Sequence, residues 1–429
     1  MKPLFVISSP FDTYSGYGAR SRDLIKSIIK SDKYNVHLLS QRWGNTPFGF
    51  CKDHPEWEFL LDLRFPNNQL PKQPEVWMQI SVPNEFQPVG KYNIGITAGI
   101  ETTIVPVNFV EGVNRMDLNL VSSEHSKKGF VDAVFERVNK QTNQKEGEIK
   151  LEKPVEVLFE GADITTYFPD NSPCMIDFNI PESFAYLFVG HWMQGELGED
   201  RKNVGLLIKA FYETFKNKMK KPALILKTSQ VGSSYMDREE ILKKIKQIKA
   251  TVNSNNLPNV YLLHGEFTNE EINSLYNHSK VKAMVSLTKG EGFGRPLLEF
   301  SLTKKPILTT GWSGHTDFLN SEFTPLIGGE LKNVHPSAAN DFLLKEAQWL
   351  SPDHGQIGHY LKDIFENYKK YQVGGKRQAH YSKTNFSWDK MHEKLTQILE
   401  TNIPEFPKEV KLELPKLKKV ELPKLKKLK

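Results

Sequence analysis

Short apolar runs alternate with amphipathic stretches along most of the chain. The stretch 20–29 carries apolar residues at positions 24, 25, 28 and 29, which is the spacing of a helix with one buried face. A further helix is predicted over 126–135, and the polar stretch 136–153 is predicted as a surface loop or hairpin insertion. Apolar runs in the first part of the chain predict buried strands at 4–7, 36–39, 75–80, 92–96, 118–121 and 155–159. This alternation favours a mostly parallel, doubly wound α/β sheet.

The same alternation is repeated in the second half. Helices are predicted over 204–215 and 238–252, and strands at 185–189, 223–226, 260–263, 283–287 and 306–309. The chain has 429 residues, which is too many for one ordinary core. A loop rich in Asp, Asn, Ser and Pro follows Pro169, and we place the domain boundary there. The sequence thus predicts two Rossmann-like domains, 1–168 and 169–374.

Composition narrows the class of protein. Apolar residues make up 38% and charged residues 25%, as in a globular protein. No stretch approaches the roughly 18 apolar residues that cross a bilayer, and the N-terminal apolar run is short for a signal peptide. Cys51 and Cys174 form neither a disulfide framework nor a metal-binding spacing. We therefore expect two free thiols and a cytoplasmic location.

The net charge of +6 is concentrated at the C-terminus. Residues 404–429 hold nine Lys and four Glu, a net of +5, so the rest of the chain is near +1. An eight-residue repeat over 411–418 and 419–426 contains Pro415 and Pro423, which prevent a continuous helix. We expect 403–429 to be a disordered basic tail. It either contacts an acidic partner, such as the inner face of a membrane or nucleic acid, or has no specific partner.

The stretch 283–299 combines features of a ligand site. A predicted strand ends at Thr288, and Glu291-Gly-Phe-Gly294 follows as a loop whose small residues let a ligand approach the backbone. Arg295-Pro296 then opens a helix, and free N–H groups at a helix N-terminus suit a phosphate. Ligands of doubly wound sheets bind at the carboxyl ends of the strands, where this loop falls. Glu291 and Glu299 could accept hydrogen bonds from hydroxyl groups of one ligand.

The segment Glu291-Gly-Phe-Gly-Arg-Pro-Leu-Leu-Glu299 resembles the Glu-seven-residues-Glu motif of glycosyltransferase family four. Members of that family have the GT-B fold, in which two Rossmann-like domains face a cleft, and they transfer sugar with retention of configuration. The resemblance implies that Glu291, Gly292, Phe293, Gly294 and Arg295 lie against the donor sugar and diphosphate. It also implies that Glu299 binds the ribose of the nucleotide.

Other segments fit the same family. Gly190, followed later by Arg201 and Lys202, resembles the glycine and basic pair that hold the donor diphosphate, although His191 stands where the family has Arg. Arg and Lys there would neutralise charge on the leaving group.

Two further segments concern the N-terminal domain. Gly16 and Gly18 resemble a glycine loop that faces the cleft. Glu101 stands near the position where many relatives have a catalytic His, which makes it a candidate acceptor-side residue. Ser387-Trp388 resembles the start of a closing helix, at about 375–402, that returns to the N-terminal domain.

The expected reaction is transfer of a hexose from a UDP- or GDP-sugar to a glycan, lipid-linked or other hydroxyl acceptor. We expect no cofactor and no metal, because the chain has no Asp-x-Asp, the pattern by which the other large glycosyltransferase fold holds a divalent cation. Two alternatives stay open: action on modified DNA bases, which the near-neutral body disfavours, and a non-catalytic sugar-nucleotide binding protein.

Overall fold

The computed structural model describes residues 2–139, 141–176, 179–230 and 232–407. Most of the predicted basic tail, from residue 408 onward, lies outside the described residues. Within the described part, no helix is both long and apolar enough to span a bilayer.

The first half of the chain forms a six-stranded parallel sheet in the order β2-β1-β3-β4-β5-β8. Its strands are β1 (Leu4–Ser9), β2 (Asn35–Ser40), β3 (Val76–Ile80), β4 (Tyr92–Thr97), β5 (Leu118–Val121) and β8 (Val155–Val157). Its helices are α1 (Gly16–Lys30), α2 (Phe50–Asp53), α3 (Phe59–Asp62), α4 (Val107–Asn114) and α5 (Glu124–Val131). The central strands β1, β3 and β5 are buried along their whole length, as their apolar runs predict.

The second half forms another six-stranded parallel sheet, in the order β11-β10-β9-β12-β13-β14. Its strands are β9 (Ala185–Val189), β10 (Ala223–Lys227), β11 (Val260–Leu263), β12 (Val281–Ser286), β13 (Ile307–Thr310) and β14 (Leu326–Ile327). Its helices are α6 (Val204–Phe215), α7 (Tyr235–Ala250), α8 (Asn269–Asn277), α9 (Arg295–Ser301), α10 (His354–Glu366) and α11 (Tyr368–Asn385). The strand order reverses between β9 and β12. In such sheets ligands bind beyond the carboxyl ends of the two strands at that point.

One predicted helix is wrong at its C-terminal end. The helix expected over 126–135 ends at Val131, and β6 (Val134–Val138) then pairs in antiparallel fashion with β7 (Lys145–Lys150). Phe135 and Ile149 face each other in this hairpin and pack on the core of the first sheet. This long-range contact sets the local structure. The hairpin occupies much of the polar stretch for which a surface loop or hairpin was predicted.

The closing helix predicted over about 375–402 is two helices. Helix α11 ends at Asn385, and α12 (Trp388–Asn402) starts after Ser387, whose side chain accepts a hydrogen bond from the Lys390 N–H. Backbone bonds from Ala162 to Phe386 and from Trp388 to Ala162 fix the break. Side chains of α12 belong to the core of the first sheet. Helix α11 packs on α9 and α10 of the second sheet. A second antiparallel pair, β15 (Gly329–Asn333) and β16 (Gln348–Pro352), lies outside both sheets.

Candidate functional site

Lys202 and Glu291 form an ion pair at the carboxyl edge of the second sheet. The Lys202 ammonium lies 2.6 Å from Oε1 and 2.9 Å from Oε2 of Glu291. Lys202 precedes α6 and Glu291 follows β12, so both lie beside the reversal of strand order. Ser313 accepts a hydrogen bond from the Glu291 N–H at 2.9 Å and holds the loop in place.

Arg201 extends this pair to the other half of the chain. Its guanidinium donates to Oε2 of Glu291 at 3.3 Å and to the Gly290 carbonyl at 2.9 Å, and it lies 3.6 Å from the Glu101 carboxylate. Glu101 follows β4 of the first sheet. The four residues predicted to be catalytic therefore form one network that joins the two sheets.

The network fixes the charge of Glu291. Burial alone would raise the pKa of its carboxyl, but Lys202 and then Arg201 outweigh burial and lower that pKa to about 2. Burial likewise opposes the charge of Arg201, and Glu101 and Glu291 raise its pKa above the usual value. Glu291 is therefore an ionised acceptor of hydrogen bonds at neutral pH.

The two halves of the chain touch at backbone level beside this network. A Cβ on Gly292 would overlap the carbonyl oxygen of Ala98, and one on Gly290 would overlap that of Glu101. Ser122 donates to the Gly292 carbonyl at 3.0 Å. Only glycine at 290 and 292 lets the loop after β12 lie against the loop after β4.

Arg295 and Glu299 lie in a second charged cluster. Arg295 donates to Oε1 of Glu299 at 2.8 Å and to Oδ2 of Asp23 in α1 at 2.5 Å, and it lies 4.0 Å from Glu160. Burial raises the pKa of Glu299 to about 7; Arg295 opposes this shift, whereas Asp23 and Glu160 add to it. The predicted ribose ligand Glu299 is therefore engaged with Arg295 in this structure.

The two glycines of the first loop have different surroundings. A Cβ on Gly16, the first residue of α1, would meet no atom within 4 Å. A Cβ on Gly18 would overlap the Thr13 carbonyl, so Gly18 is required by the packing of its own turn. Between them, Tyr17 accepts a hydrogen bond from the Ala98 N–H at 3.0 Å and holds the loop that carries Glu101.

Two more glycines of the predicted donor site have positive φ angles, which favour glycine. Gly190 follows β9 with φ +154°, and a Cβ there would lie 3.3 Å from the Phe188 ring and 3.8 Å from Cε of Lys202. Gly294 has φ +94°, and a Cβ there would lie 3.0 Å from that of His315. Phe293 is different: its side chain is 2% exposed and packs on Phe318 in the core. Only its backbone is available to a ligand in the loop.

Several residues of the site had no predicted role. Tyr17, Asp23, Ser122 and Glu160 come from the first half of the chain, and His315 follows β13. His315 is fully buried, with Nε2 2.6 Å from the Thr310 carbonyl, while its Nδ1 has no hydrogen-bond partner in the described structure. Single serines, acids and histidines are common in any sequence, so only the three-dimensional arrangement singles these out. In the described ranges, no cluster of three or more His, Cys, Asp or Glu side chains could hold a metal ion.

No protein-family model and no curated protein sequence matches the chain. Solved structures do match. Anabaena HepE in complex with UDP and glucose superposes with a TM-score of 0.58 at 11% identity, over 93% of this chain and 100% of that one. Sucrose-phosphate synthase from Thermosynechococcus elongatus gives 0.58 at 10% identity, over 94% and 99%. A glycosyltransferase from Rickettsia africae gives 0.57 at 14%, over 94% and 99%.

These similarities extend over nearly the whole of each chain. Together with the two parallel six-stranded sheets, they show that the chain has the GT-B fold of glycosyltransferases. The predicted fold class is thus confirmed for the described residues. At 10–14% identity the similarity concerns the fold, and the function has to be argued from the site.

Proposed function

We propose that the protein is a retaining glycosyltransferase that moves a hexose from a UDP- or GDP-sugar to a hydroxyl group of a glycan or lipid-linked acceptor. The observation that carries this proposal is the network of Lys202, Arg201 and Glu291 at the reversal of strand order, with Glu101 reaching it from the other sheet. The two cations suit the diphosphate of a nucleotide sugar, and the ionised carboxylate beside them suits the hydroxyl groups of its sugar.

Each group has a chemical role in this proposal. The bond between the anomeric carbon and the diphosphate oxygen breaks, and the acceptor oxygen bonds to that carbon on the same face. The acceptor proton passes to the departing diphosphate. Lys202 and Arg201 stabilise the negative charge that develops on the diphosphate. An ammonium has three N–H donors, and two contacts go to Glu291, so a third remains for a phosphate oxygen.

Glu291 then orients the sugar. Its pKa of about 2 keeps it a pure acceptor, which fits hydrogen bonds from hexose hydroxyls. Glu101 adds a carboxylate on the side of the first sheet, where the acceptor would enter. Two cations serve the diphosphate in this scheme, so the proposal includes activity without a divalent metal.

A panel of nucleoside diphosphates tests the donor part. UDP or GDP should raise the midpoint of thermal unfolding, and Lys202→Ala should abolish that rise, whereas Lys128→Ala on the surface should leave it unchanged. If no nucleoside diphosphate shifts the wild-type midpoint, the proposal is wrong.

Proton NMR of the sugar released from a matching α-linked donor tests retention. The α-anomer should appear first. A β-anomer as the first product would contradict a retaining reaction.

A further inference from the structure

A cavity in the C-terminal half lies next to the network around Glu291. It has a volume of about 430 Å³, and residues from the start of α6 and from the hairpin of β15 and β16 are part of its lining. Arg201, Lys202 and Glu291 are not among the residues that line it. The lining residues that matter here are polar or aromatic: Asn203, Lys209, Lys289, Lys332, His335 and Trp349.

Asn203 lines this cavity and is a buried residue whose side-chain amide is unpaired among the described residues. It has a left-handed backbone (φ 58°, ψ 34°) at the N-cap of α6, yet its side chain does not cap the helix. Asp200 takes that place, since its Oδ1 lies 3.5 Å from the Val204 N–H. Asn203 is fully buried, and neither its amide oxygen nor its amide nitrogen has a hydrogen-bond partner in the described structure. Buried polar groups are almost always paired, so the unpaired donor and acceptor of this amide are available to a ligand that reaches them from the cavity.

Trp349, which also lines the cavity, shows the same feature. It belongs to β16, is fully buried, and its indole N–H has no acceptor among the described residues. An indole N–H can only donate, and the amide of Asn203 both donates and accepts. Together they suit the hydroxyl groups of a polyol.

Positive charge dominates the cavity. Three lysines line it, at 209, 289 and 332, against one carboxylate, Glu199. Glu199 lies 2.9 Å from the Lys289 ammonium, which is also 5.1 Å from the centre of the Trp349 ring. Lys209 and Lys332 remain in excess over this pair among the lining residues, although Lys332 also lies 3.9 Å from the exposed Glu330 outside the cavity. Lysine ammonium groups bind phosphate well. The surplus charge favours an anionic ligand.

The same two segments of the chain, 201–203 and 289–291, contribute residues to the cavity and to the Glu291 network. The Lys289 N–H donates to the Arg201 carbonyl at 2.8 Å, so segments 201–203 and 289–291 are bonded to each other. In each segment, one residue lines the cavity and a close neighbour along the chain belongs to the network. The two sites are therefore separate but adjacent.

We propose that this cavity is a second ligand site, which takes a phosphorylated sugar or polyol. The lysines bind the phosphate, and Asn203 and the Trp349 indole bind hydroxyl groups. The site is distinct from the proposed donor site and is occupied independently of it.

Isothermal titration of the full chain with glucose 6-phosphate tests the proposal. Wild type should bind this probe also when UDP is saturating, and glucose or inorganic phosphate should each bind at least tenfold more weakly. Trp349→Phe keeps an aromatic ring but removes the indole N–H, and Lys209→Ala removes one charge. Each should weaken binding at least fivefold, whereas Lys216→Ala, just beyond the other end of α6, should not.

Three results would overturn the proposal: no binding of glucose 6-phosphate, its displacement by UDP, or unchanged affinity in both cavity variants. Equal affinity for inorganic phosphate would overturn the part that concerns the sugar. The titration involves no turnover, so its result does not depend on the proposed transferase activity.

Discussion

The Lys202 ammonium lies 2.6 Å from Oε1 of Glu291, although 89 positions separate the two residues in the chain. The ends of β9 and β12 bring them together, because neighbouring parallel strands present their carboxyl ends at one edge. This contact ionises Glu291 and places a cation beside it. Several properties of the protein should depend on it.

The stability of the protein should depend on Glu291 at acid pH. Its pKa is lowered from 4.5 to about 2, so the folded state binds this proton more weakly than the unfolded chain. The stabilisation is fully present above pH 4.5 and is lost as the pH falls towards 2, and it amounts to about 3 kcal/mol. Urea unfolding at pH 7, 5 and 3 should show Glu291→Gln less stable than wild type, by a margin that shrinks with acid. A margin that is the same at all three pH values, or a similar effect of exposed Glu330→Gln, would contradict this.

Glu299 should change the stability of the protein with pH in the opposite direction to Glu291. Burial raises its pKa from 4.5 to about 7, so the folded state holds this proton more tightly than the unfolded chain. The wild type therefore loses stability as the pH rises from 4.5 to 7, by about 3 kcal/mol. The Gln side chain of Glu299→Gln cannot ionise. The free energy of unfolding of this variant should therefore rise relative to that of wild type between pH 4.5 and 7. If the difference between the two proteins stays constant from pH 4.5 to 7, Glu299 is ionised throughout.

The contact between Arg295 and Asp23 should stabilise the junction of the two halves. Arg295→Met leaves Asp23 and Glu299 buried without their cation, and loss of one partner from a buried pair costs about 3 kcal/mol. Arg377→Met is the matched control, because its side chain is 58% exposed and its ion pair with Glu322 spans 3.9 Å. That change should cost less than about 1 kcal/mol. Chemical unfolding of both variants checks the difference, and equal losses would contradict it.

Gly292→Ala should lower the activity of the protein without unfolding it. The new Cβ would overlap the Ala98 carbonyl, so the loop after β12 could no longer lie against the loop after β4. Each sheet keeps its own core, so circular dichroism should be unchanged while turnover of the nucleotide sugar falls at least tenfold. Gly358→Ala in α10 is the control, since its Cβ would make only ordinary contact with Thr214 at 3.5 Å. Normal turnover in Gly292→Ala would show that the loops need not touch.

Periodicity alone predicted most strands of both sheets to within two residues. The runs at 118–121, 185–189 and 260–263 match their strands completely. Parallel strands are short, mostly apolar segments bounded by turns, and this holds for the buried β5 and β9 and for the half-buried β11. The predicted end of the helix over 126–135 was wrong because pairing with a later segment of the chain decides the structure there. Residues 134–138 are strand through pairing with 145–150, and the residues of 126–135 alone do not show where the helix ends and that hairpin begins.

The resemblance to glycosyltransferase family four implied that Glu291, Arg201 and Lys202 lie together at the donor site, and the three side chains are in contact. It could not show that Glu299 pairs with Arg295, or that Asp23 and Glu160 surround that pair. The direction of the Phe293 side chain could not be predicted from the sequence either. Its position in a glycine loop suggested a ligand contact, while its burial against Phe318 decides the direction of the side chain.

The central claim is that Lys202 and Glu291 act on a nucleotide sugar. Release of nucleoside diphosphate from a panel of UDP- and GDP-sugars, in slow hydrolysis without an acceptor, tests it most directly. Wild type should turn over at least one donor, and Glu291→Gln and Lys202→Ala should each be more than tenfold slower while remaining folded by circular dichroism. Lys128→Ala and Glu330→Gln should match wild type. Turnover near the wild-type rate in either site variant would contradict that residue's role, and donor binding without any release would identify a binding protein instead.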